Sequence, residues 1–260
     1  MATVLSVNMN KIALLRNSRE GNYPDVVHFA EQAIKAGAKG ITVHPRPDQR
    51  HIRPHDLKAL RSLTNSISGC EFNIEGNPFE GHLAFEMGED YPGFMALIDQ
   101  YRPDQATLVP DSNEQLTSDH GFDLRQDTAA LEKVIQQLKS WGVRCSLFMD
   151  PDIEQINQAK AIGADRIELY TGPYAEHYNT EAHQSTLNTY QQAAQHANNI
   201  GLTVNAGHDL NQKNLSEFLA IAPIAEVSIG HALTVEALEN GYTATVSAYS
   251  NICQFDYNKK

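Results

Sequence analysis

The sequence predicts an α/β protein built as a single (β/α)8 TIM barrel with a few extra helical or loop insertions. Along 260 residues, short apolar runs alternate with longer amphipathic segments, and eight such units can be counted. This alternation implies parallel strands with right-handed crossovers, and eight units at this length favour a closed barrel over an open sheet. The glycine-rich dinucleotide fingerprint is also missing after the first strand. No linker or repeat divides the chain, so residues 1–260 are predicted to form one domain.

The strands are predicted from short apolar, β-branched runs, which suit strands that are buried on both faces. Polar or charged residues follow most of these runs and mark where each strand ends. The predicted strands are 3–7, 40–44, 71–75, 106–109, 143–149, 166–170, 203–206 and 226–229.

The helices are predicted from amphipathic periodicity and from residues that begin or end helices. Pro24 and Asp25 suit a helix start. Gly142, Gly163 and Gly201 each follow an amphipathic run and suit its end. The predicted helices are 24–36, 54–63, 94–101, 128–141, 154–162, 181–200, 215–220 and a last one from about residue 234.

Composition argues against several classes of function. The net charge of −12 argues against a surface for nucleic-acid backbones, which need a basic stripe. Three cysteines without CxxC spacing indicate neither a disulfide framework nor a thiolate zinc site, which fits a reducing cytoplasm. The N-terminus has no signal-peptide pattern and no window approaches about 18 apolar residues. We therefore expect a cytoplasmic protein with no nucleic-acid or membrane partner.

The C-terminal strand ends, where barrel enzymes place their functional residues, carry many acids and bases here. These residues include Asn8, Asn10, Lys11, His44, Arg46, Glu75, Asp150, Tyr170, His208 and His231. Imidazole and partly desolvated carboxyl groups can be tuned toward a neutral pKa, so acid–base catalysis by His44, Glu75 and His208 is predicted. A metal held by these groups is the weaker alternative, because no His-x-His or HExxH spacing supports it.

Two Gly-His pairs follow the last two predicted strands. They are Gly207-His208 and Gly230-His231. Barrel enzymes frequently hold a phosphate here on backbone N–H groups, and a glycine lets those amides approach an anion closely. The pairs therefore predict one phosphate site, although a tight turn at a helix start would give the same pattern.

A cationic cluster follows the second strand. Arg46, Arg50 and His51 lie on a loop that Pro45 and Pro47 stiffen. Guanidinium groups bind phosphates well, so this loop predicts a second anionic group on the substrates. The alternative is an ordinary solvated loop.

Six motifs follow one another at barrel-compatible spacing between about residue 3 and residue 250. They are Val-Asn-Met-Asn-Lys from residue 7, Gly-Ile-Thr-Val-His-Pro-Arg from 40, Phe-Asn-Ile-Glu from 72, Leu-Val-Pro from 108, Val-Asn-Ala-Gly-His from 204 and Ser-Ile-Gly-His-Ala from 228. Together they resemble the pyridoxine 5′-phosphate synthase family. The resemblance implies a (β/α)8 barrel that condenses 3-amino-2-oxopropyl phosphate with 1-deoxy-D-xylulose 5-phosphate, releasing inorganic phosphate and water as the pyridine ring closes. It also implies no cofactor, no metal and a homo-oligomer, which is an octamer in the family.

The resemblance assigns roles residue by residue. His44 and Glu75 resemble the family's proton acceptors, and His208 resembles its proton donor. The residues that match the site for the aminoketone phosphate are Asn8, Arg19, Asp209, Gly230 and His231. The residues that match the site for the deoxyxylulose phosphate are Asn10, Lys11, Arg46, His51 and Thr117.

Two places depart from the family's commoner pattern, although one branch of the family shares them. That pattern has Asp-His at Asn10-Lys11 and Gly at Asp209. Lysine in place of histidine keeps a donor and adds a fixed charge, so it favours anion binding over proton exchange. An aspartate beside a phosphate repels it unless only the backbone N–H of that residue faces the site.

Two loops and two other functions complete the predictions. Segment 111–122 is a candidate lid that excludes water from reactive intermediates, or else an ordinary mobile loop. Segment 76–92 is longer than the resemblance suggests and is predicted to be an extra lid or an oligomer contact. A sugar-phosphate epimerase or isomerase on the same barrel, assisted by a metal, is one alternative function. A non-catalytic barrel that binds phosphorylated metabolites is the other.

Overall fold

Eight parallel strands close into a barrel in which each strand pairs with the next and β8 pairs with β1. The structure is a computed structural model that describes residues 2–85, 89–112, 114–255 and 257. The strands are β1 Val4–Asn8, β2 Gly40–Val43, β3 Glu71–Gly76, β4 Gln105–Leu108, β5 Arg144–Met149, β6 Arg166–Tyr170, β7 Thr203–Gly207 and β8 Glu226–Ile229. The predicted fold class is therefore confirmed.

Helices surround this barrel. They are α1 Asn10–Asn17, α2 Val26–Lys35, α3 Pro54–Asn65, α4 Phe94–Tyr101, α5 Ala129–Ser140, α6 Ile153–Ala161, α7 Gly172–His177, α8 His183–Asn199, α9 Leu215–Leu219, α10 His231–Asn240 and α11 Tyr242–Gln254. Side-chain caps fix some of the starts. Asp25, for example, accepts the N–H of Val27 at 2.9 Å and thereby satisfies a donor that the first turn leaves unpaired. None of the helices in the described ranges has the length and apolar character needed to cross a lipid bilayer.

The helices α1 and α7 were not predicted, and the last predicted helix is in fact two helices, α10 and α11. α1 starts at Asn10, where a loop was expected. Its buried face contains Arg16 beside Ile12 and Ala13, so the pattern is not purely apolar and did not indicate a helix. The short α7 begins with Gly-Pro, which resembles a turn although proline is favourable in a first helical turn. The last predicted helix begins at His231 instead of about residue 234. It ends at Asn240, and Gly241, whose φ is 83°, separates α10 from α11.

The strands are buried on both faces, as predicted, but the two faces differ in polarity. The outer face packs apolar side chains such as Ile41, Phe72 and Leu147 against the helices. The inner face carries polar side chains, among them Ser6, Thr42, Asn73, Gln105, Thr107, Glu168, Asn205 and Glu226. These groups hydrogen-bond to one another between strands. For instance, Thr107 Oγ1 donates to Asn73 Oδ1 at 3.1 Å, and Ser6 and Thr42 hydroxyls lie 2.7 Å apart. The interior is therefore a polar network, and buried polar groups of this kind must satisfy one another.

The long segment after β3 rests on the loop after β2. The carbonyl of Glu89 accepts from Gln49 Nε2 at 2.5 Å, and its carboxylate accepts from the backbone N–H of His55 at 3.1 Å. Leu83 and Tyr91 form an antiparallel bridge that holds the segment together. Residues 86–88 lie outside the described residues. The described part of this segment therefore supports the start of α3. None of its described residues lines the cavity described below, although Glu75, which directly precedes the segment, does.

Candidate active site

A cavity of about 440 Å³ opens at the C-terminal end of the barrel, and every strand or the residue that follows it contributes to its wall. Of the predicted site residues, the ones that line it are Asn8, Asn10, Lys11, His44, Arg46, His51, Glu75, Thr117, His208, Asp209, Gly230 and His231. Arg19 does not line it. α1 ends at Asn17, and Arg19 follows as an exposed residue, so the chain does not bring this guanidinium to its own cavity.

Two buried carboxyl groups meet this cavity. Glu75, near the end of β3, accepts from Asn8 Nδ2 at 3.3 Å and from Ser228 Oγ at 3.5 Å. Glu168, on β6, has its Oε2 3.5 Å from Thr107 Oγ1. Burial, followed by the charge of Glu168, raises the pKa of Glu75 well above its usual value. Burial, followed by the charge of Glu226, raises the pKa of Glu168 to about 8. The pair therefore retains a proton at neutral pH, and the two groups titrate together.

Glu168 was missed by the sequence analysis, although a signal was present. It lies in the middle of β6 between Ile167 and Leu169, and a carboxylate between two buried apolar residues must either be paired or have a raised pKa. Gly207 leaves room for this carboxyl group, because a Cβ at this position would collide with Glu168 Oε1. Its role in letting amides approach an anion stays a prediction.

Two imidazoles follow β2, the buried ring of His44 directly after the strand and the half-buried ring of His51 in the loop beyond it. Burial, together with the positive charges of neighbouring Arg46 and Arg50, lowers the pKa of His44 well below its usual value. The pKa of His51 is lowered to about 3, mainly by burial. The centres of the two rings are 6.0 Å apart. Both rings are therefore neutral at physiological pH and can accept protons. The backbone N–H of His44 donates to Asn10 Oδ1 at 2.9 Å, which fixes the strand end that carries the ring.

The end of α1 fixes the loop that carries His51. Asn17 Nδ2 donates to the carbonyls of Gln49, Arg50 and His51 at 3.2, 3.1 and 2.7 Å. Beside it, the buried guanidinium of Arg16 bonds the carboxylate of Asp56 and the carbonyl of His51. One amide that serves three carbonyls leaves the loop little freedom, so His51 has a defined position.

The cationic cluster binds the loop that follows β4. Arg46 Nη1 donates to Asp111 Oδ2 at 3.1 Å, and Nη2 donates to the Ser112 carbonyl at 2.6 Å. Arg50 donates from Nη1 to the carbonyl of Gln115 at 3.0 Å. The sequence predicted these guanidinium groups as anion ligands. That role stays a prediction; in this structure they bind Asp111, Ser112 and Gln115 at the mouth of the barrel.

The same loop reaches the opposite wall of the cavity. Thr117 Oγ1 lies 3.0 Å from Nε2 of His208, which follows β7. On the other side of the ring, Nδ1 lies 2.8 Å from Oδ2 of Asp209. Tyr170 meets the imidazole edge to face, with ring centres 5.1 Å apart. The described residues of segment 111–118, which leave out residue 113, therefore reach from the loop after β2 to the end of β7, as a closed lid would.

Gly230 and His231 form the start of α10, a helix of 10 residues. Its first N–H groups have no partner within the helix, and this end of the helix attracts anions. A Cβ on Gly230 would lie 3.0 Å from Cβ of Asn8, closer than side chains normally pack, so a larger residue here would make the Asn8 side chain shift.

Comparison with known proteins gives a match across the whole barrel. The chain matches the family described as "Pyridoxal phosphate biosynthesis protein PdxJ" over residues 5–255. It is 56% identical over 253 residues to the pyridoxine 5′-phosphate synthase of Xanthomonas axonopodis pv. citri (strain 306), and the match covers 97% of each chain. It is 51% identical over 251 residues to the protein of that name from Xylella fastidiosa (strain 9a5c), covering 96% of this chain and 94% of that one.

Solved structures support the fold alone. A tryptophan synthase from M. tuberculosis superimposes with a TM-score of 0.60 at 11% identity, covering 98% of this chain and 94% of that one. A BexX/CysO complex from Amycolatopsis orientalis gives 0.58 at 13% identity, covering 96% and 88%. The family match and the full-length relatives together show that this chain belongs to the PdxJ family of pyridoxal phosphate biosynthesis proteins.

Proposed function

We propose that this chain is a pyridoxine 5′-phosphate synthase, which condenses 3-amino-2-oxopropyl phosphate with 1-deoxy-D-xylulose 5-phosphate and releases inorganic phosphate and water. The observation that carries the proposal is one cavity with two kinds of proton carrier. His44 supplies a neutral buried imidazole, and Glu75 and Glu168 supply a carboxyl pair that retains a proton at neutral pH. The full-length relatives from Xanthomonas and Xylella are named pyridoxine 5′-phosphate synthase, which supports the same activity here.

Proton transfer is the chemistry that this condensation needs. Forming an imine, removing water and closing the ring each move protons without oxidation or reduction. A carboxylate whose pKa is raised toward neutrality is a stronger base than an ordinary one, and it also returns the proton readily. Glu75 and His44 therefore act as proton acceptors. His208, on the opposite wall, acts as the donor to the leaving phosphate.

The two phosphates bind at different parts of the wall. The aminoketone phosphate is held by Asn8, the backbone N–H of Asp209, Gly230 and His231 at the start of α10. The deoxyxylulose phosphate is held by Asn10, Lys11, Arg46, His51 and Thr117. Asn10 already uses its carbonyl oxygen for His44, so its amide NH₂ remains for the substrate. Arg19 is left out of this proposal because it does not line the cavity of its own chain.

Segment 111–122 acts as the lid of this site. Its contacts with Arg46 and His208 close the mouth, and closure keeps water from hydrolysing an imine intermediate. The lid must open for substrates to enter and for phosphate to leave. Residues 1–260 act as one catalytic domain in a cytoplasmic homo-oligomer, and the reaction uses neither a cofactor nor a metal.

Release of inorganic phosphate tests the proposal. We expect phosphate to appear only when the purified protein receives both substrates, and in equal amounts to the pyridine product. Pretreatment with a chelator should leave the rate unchanged. An epimerase would instead convert a pentulose phosphate alone and would lose activity with the chelator. A non-catalytic barrel would bind both substrates and release no phosphate.

A further inference from the structure

His208 and Asp209 share an unusual backbone. Their φ angles are 86° and 59°, in the left-handed region that residues other than glycine seldom adopt. Two contacts hold them there. Thr171 Oγ1 donates to the His208 carbonyl at 2.5 Å, and Asn214 Nδ2 donates to the Asp209 carbonyl at 3.3 Å. Strained backbone held from both sides is typical of functional sites, and it fixes how the two side chains face each other.

The two ring nitrogens of His208 have different neighbours. Nε2 lies 3.0 Å from Thr117 Oγ1, on the side of the lid. Nδ1 lies 2.8 Å from Oδ2 of Asp209. Nδ1 is buried and makes no well-directed hydrogen bond with any group within the described ranges, although Asp209 Oδ2 lies close enough for one. The carboxylate of Asp209 is therefore the acceptor within reach of a proton on Nδ1.

We propose that Asp209 is a positioning residue for His208: its carboxylate holds the proton on Nδ1 and leaves Nε2 as the nitrogen that serves the substrate. Only the role of His208 as proton donor rests on the proposed function. A histidine with one nitrogen held by a carboxylate has a defined tautomer and orientation, as in the triad of serine hydrolases. When Nε2 receives a second proton, the same carboxylate balances the charge of the ring.

This arrangement also explains how a carboxylate can border a phosphate site. The His208 ring, 2.8 Å away, lowers the pKa of the Asp209 carboxyl group, and the charges of His231 and Lys11 lower it further. The carboxylate is thus ionised, but its charge faces His208, His231 and Lys11, which carry a positive charge or can gain one. The backbone N–H of Asp209 remains for a phosphate, so the side chain and the main chain of one residue have separate tasks.

Two variants separate these tasks. Asp209→Gly removes the carboxylate and suits the left-handed backbone, and Asp209→Asn keeps an acceptor without the charge. With ¹⁵N-labelled histidine, the ring signals of His208 in the free protein should show the proton on Nδ1 in the parent. His208→Gln identifies these signals among the 11 histidines. We expect the proton of His208 to lie mainly on Nε2 in Asp209→Gly. In Asp209→Asn the ratio of the two tautomers should lie between those of the parent and of Asp209→Gly.

Kinetics provide the second readout. The glycine variant should lose about tenfold or more in kcat, as expected when an acid–base group is misaligned, without a rise in KM for the aminoketone phosphate. Glu176→Gln, an exposed carboxylate on α7, controls for the loss of one negative charge near the mouth and should change neither readout. An unchanged His208 tautomer in Asp209→Gly, or an unchanged kcat, overturns the proposal. If the parent makes no product, the tautomer measurement still decides the role of Asp209, while the proposed function fails.

Discussion

Arg46 donates from Nη1 to Oδ2 of Asp111 over 3.1 Å, and both side chains are buried. The pair joins the loop after β2 to the loop after β4, so the residue that was predicted to bind a phosphate anchors the loop that is proposed as the lid. Ser118 Oγ donates to the same carboxylate oxygen at 2.8 Å, which ties a later part of that loop to the same point. An incoming phosphate therefore shares Arg46 with Asp111 or displaces Asp111, and this competition can be measured.

Asp111→Asn should lower the unfolding free energy of the protein and increase the stabilisation that inorganic phosphate provides. Breaking one side of a buried ion pair costs about 3–5 kcal/mol because the remaining charge is left unpaired. We expect the unfolding free energy to fall by about that amount, and inorganic phosphate to raise the melting temperature of the variant more than that of the parent. Calorimetry with and without phosphate measures both effects. Asp119→Asn, an exposed aspartate on the same loop, is the control. Equal responses to phosphate in the variant and the parent would show that Asp111 and phosphate do not compete.

Glu75→Gln should abolish product formation and leave the fold and substrate binding largely intact. The amide keeps the shape of the carboxyl group and its contacts with Asn8 and Ser228, but it cannot accept a proton. Steady-state rates and substrate binding by calorimetry measure the two properties separately. Turnover within about tenfold of the parent would remove Glu75 from the catalytic set.

Glu168 should make stability depend on pH. Its pKa rises from 4.5 in the unfolded chain to about 8 in the folded protein, so the folded state keeps a proton that the unfolded state loses. The stability gained from the neutral acid is complete below about pH 4.5 and is lost as the pH rises through about 8.

Urea unfolding at several pH values tests this dependence. Over this window the parent should lose up to about 1.4 kcal/mol per pH unit relative to Glu168→Gln, which cannot ionise. Glu181→Gln, at an exposed glutamate, should behave like the parent. Parallel curves for the parent and Glu168→Gln would mean that Glu168 is ionised in the folded protein.

Lys11 should act as a fixed cation for the deoxyxylulose phosphate. Its ammonium group has no hydrogen bond or ion pair in the part of the chain that the structure describes, although it lies near the carboxylate of Asp209 and the neutral ring of His51. Lys11→Arg should keep partial activity, whereas Lys11→Met should raise the KM for that substrate by roughly tenfold to a hundredfold, the usual worth of a charge-assisted contact. Lys58→Met, at an exposed lysine of α3, is the control.

Borohydride reduction separates this role from covalent catalysis. If Lys11 forms a Schiff base with the ketone, reduction in the presence of the substrate leaves an adduct on its peptide, which mass mapping detects. An adduct contradicts the fixed-cation role. Absence of an adduct together with an unchanged KM in Lys11→Met contradicts both roles.

The sequence was sufficient for the barrel and for most of the cavity wall. Strand ends can be recognised because apolar runs stop at polar residues, and a parallel barrel brings all those ends to one mouth. His44 and Glu75 could thus be placed together although 31 positions separate them in the chain. Arg19 was not brought to the cavity, because the position of a residue beyond an unpredicted helix cannot be read from strand ends.

Interactions between strands distant in sequence were beyond prediction. Whether Arg46 meets a substrate or Asp111 depends on how two loops fold over each other, and local pattern does not contain that information. The role of Gly207 depends likewise on Glu168 of the neighbouring strand. The raised pKa of Glu168 arises from burial beside Glu226, which only the closed barrel brings near it.

The central claim is that this cavity closes a pyridine ring from two phosphorylated substrates. The most direct measurement is to incubate the purified protein with 3-amino-2-oxopropyl phosphate and 1-deoxy-D-xylulose 5-phosphate and to identify the product by absorbance and mass spectrometry. We predict pyridoxine 5′-phosphate, formed together with one inorganic phosphate, and none with Glu75→Gln. Binding of both substrates by a folded protein without any pyridoxine 5′-phosphate would contradict the account.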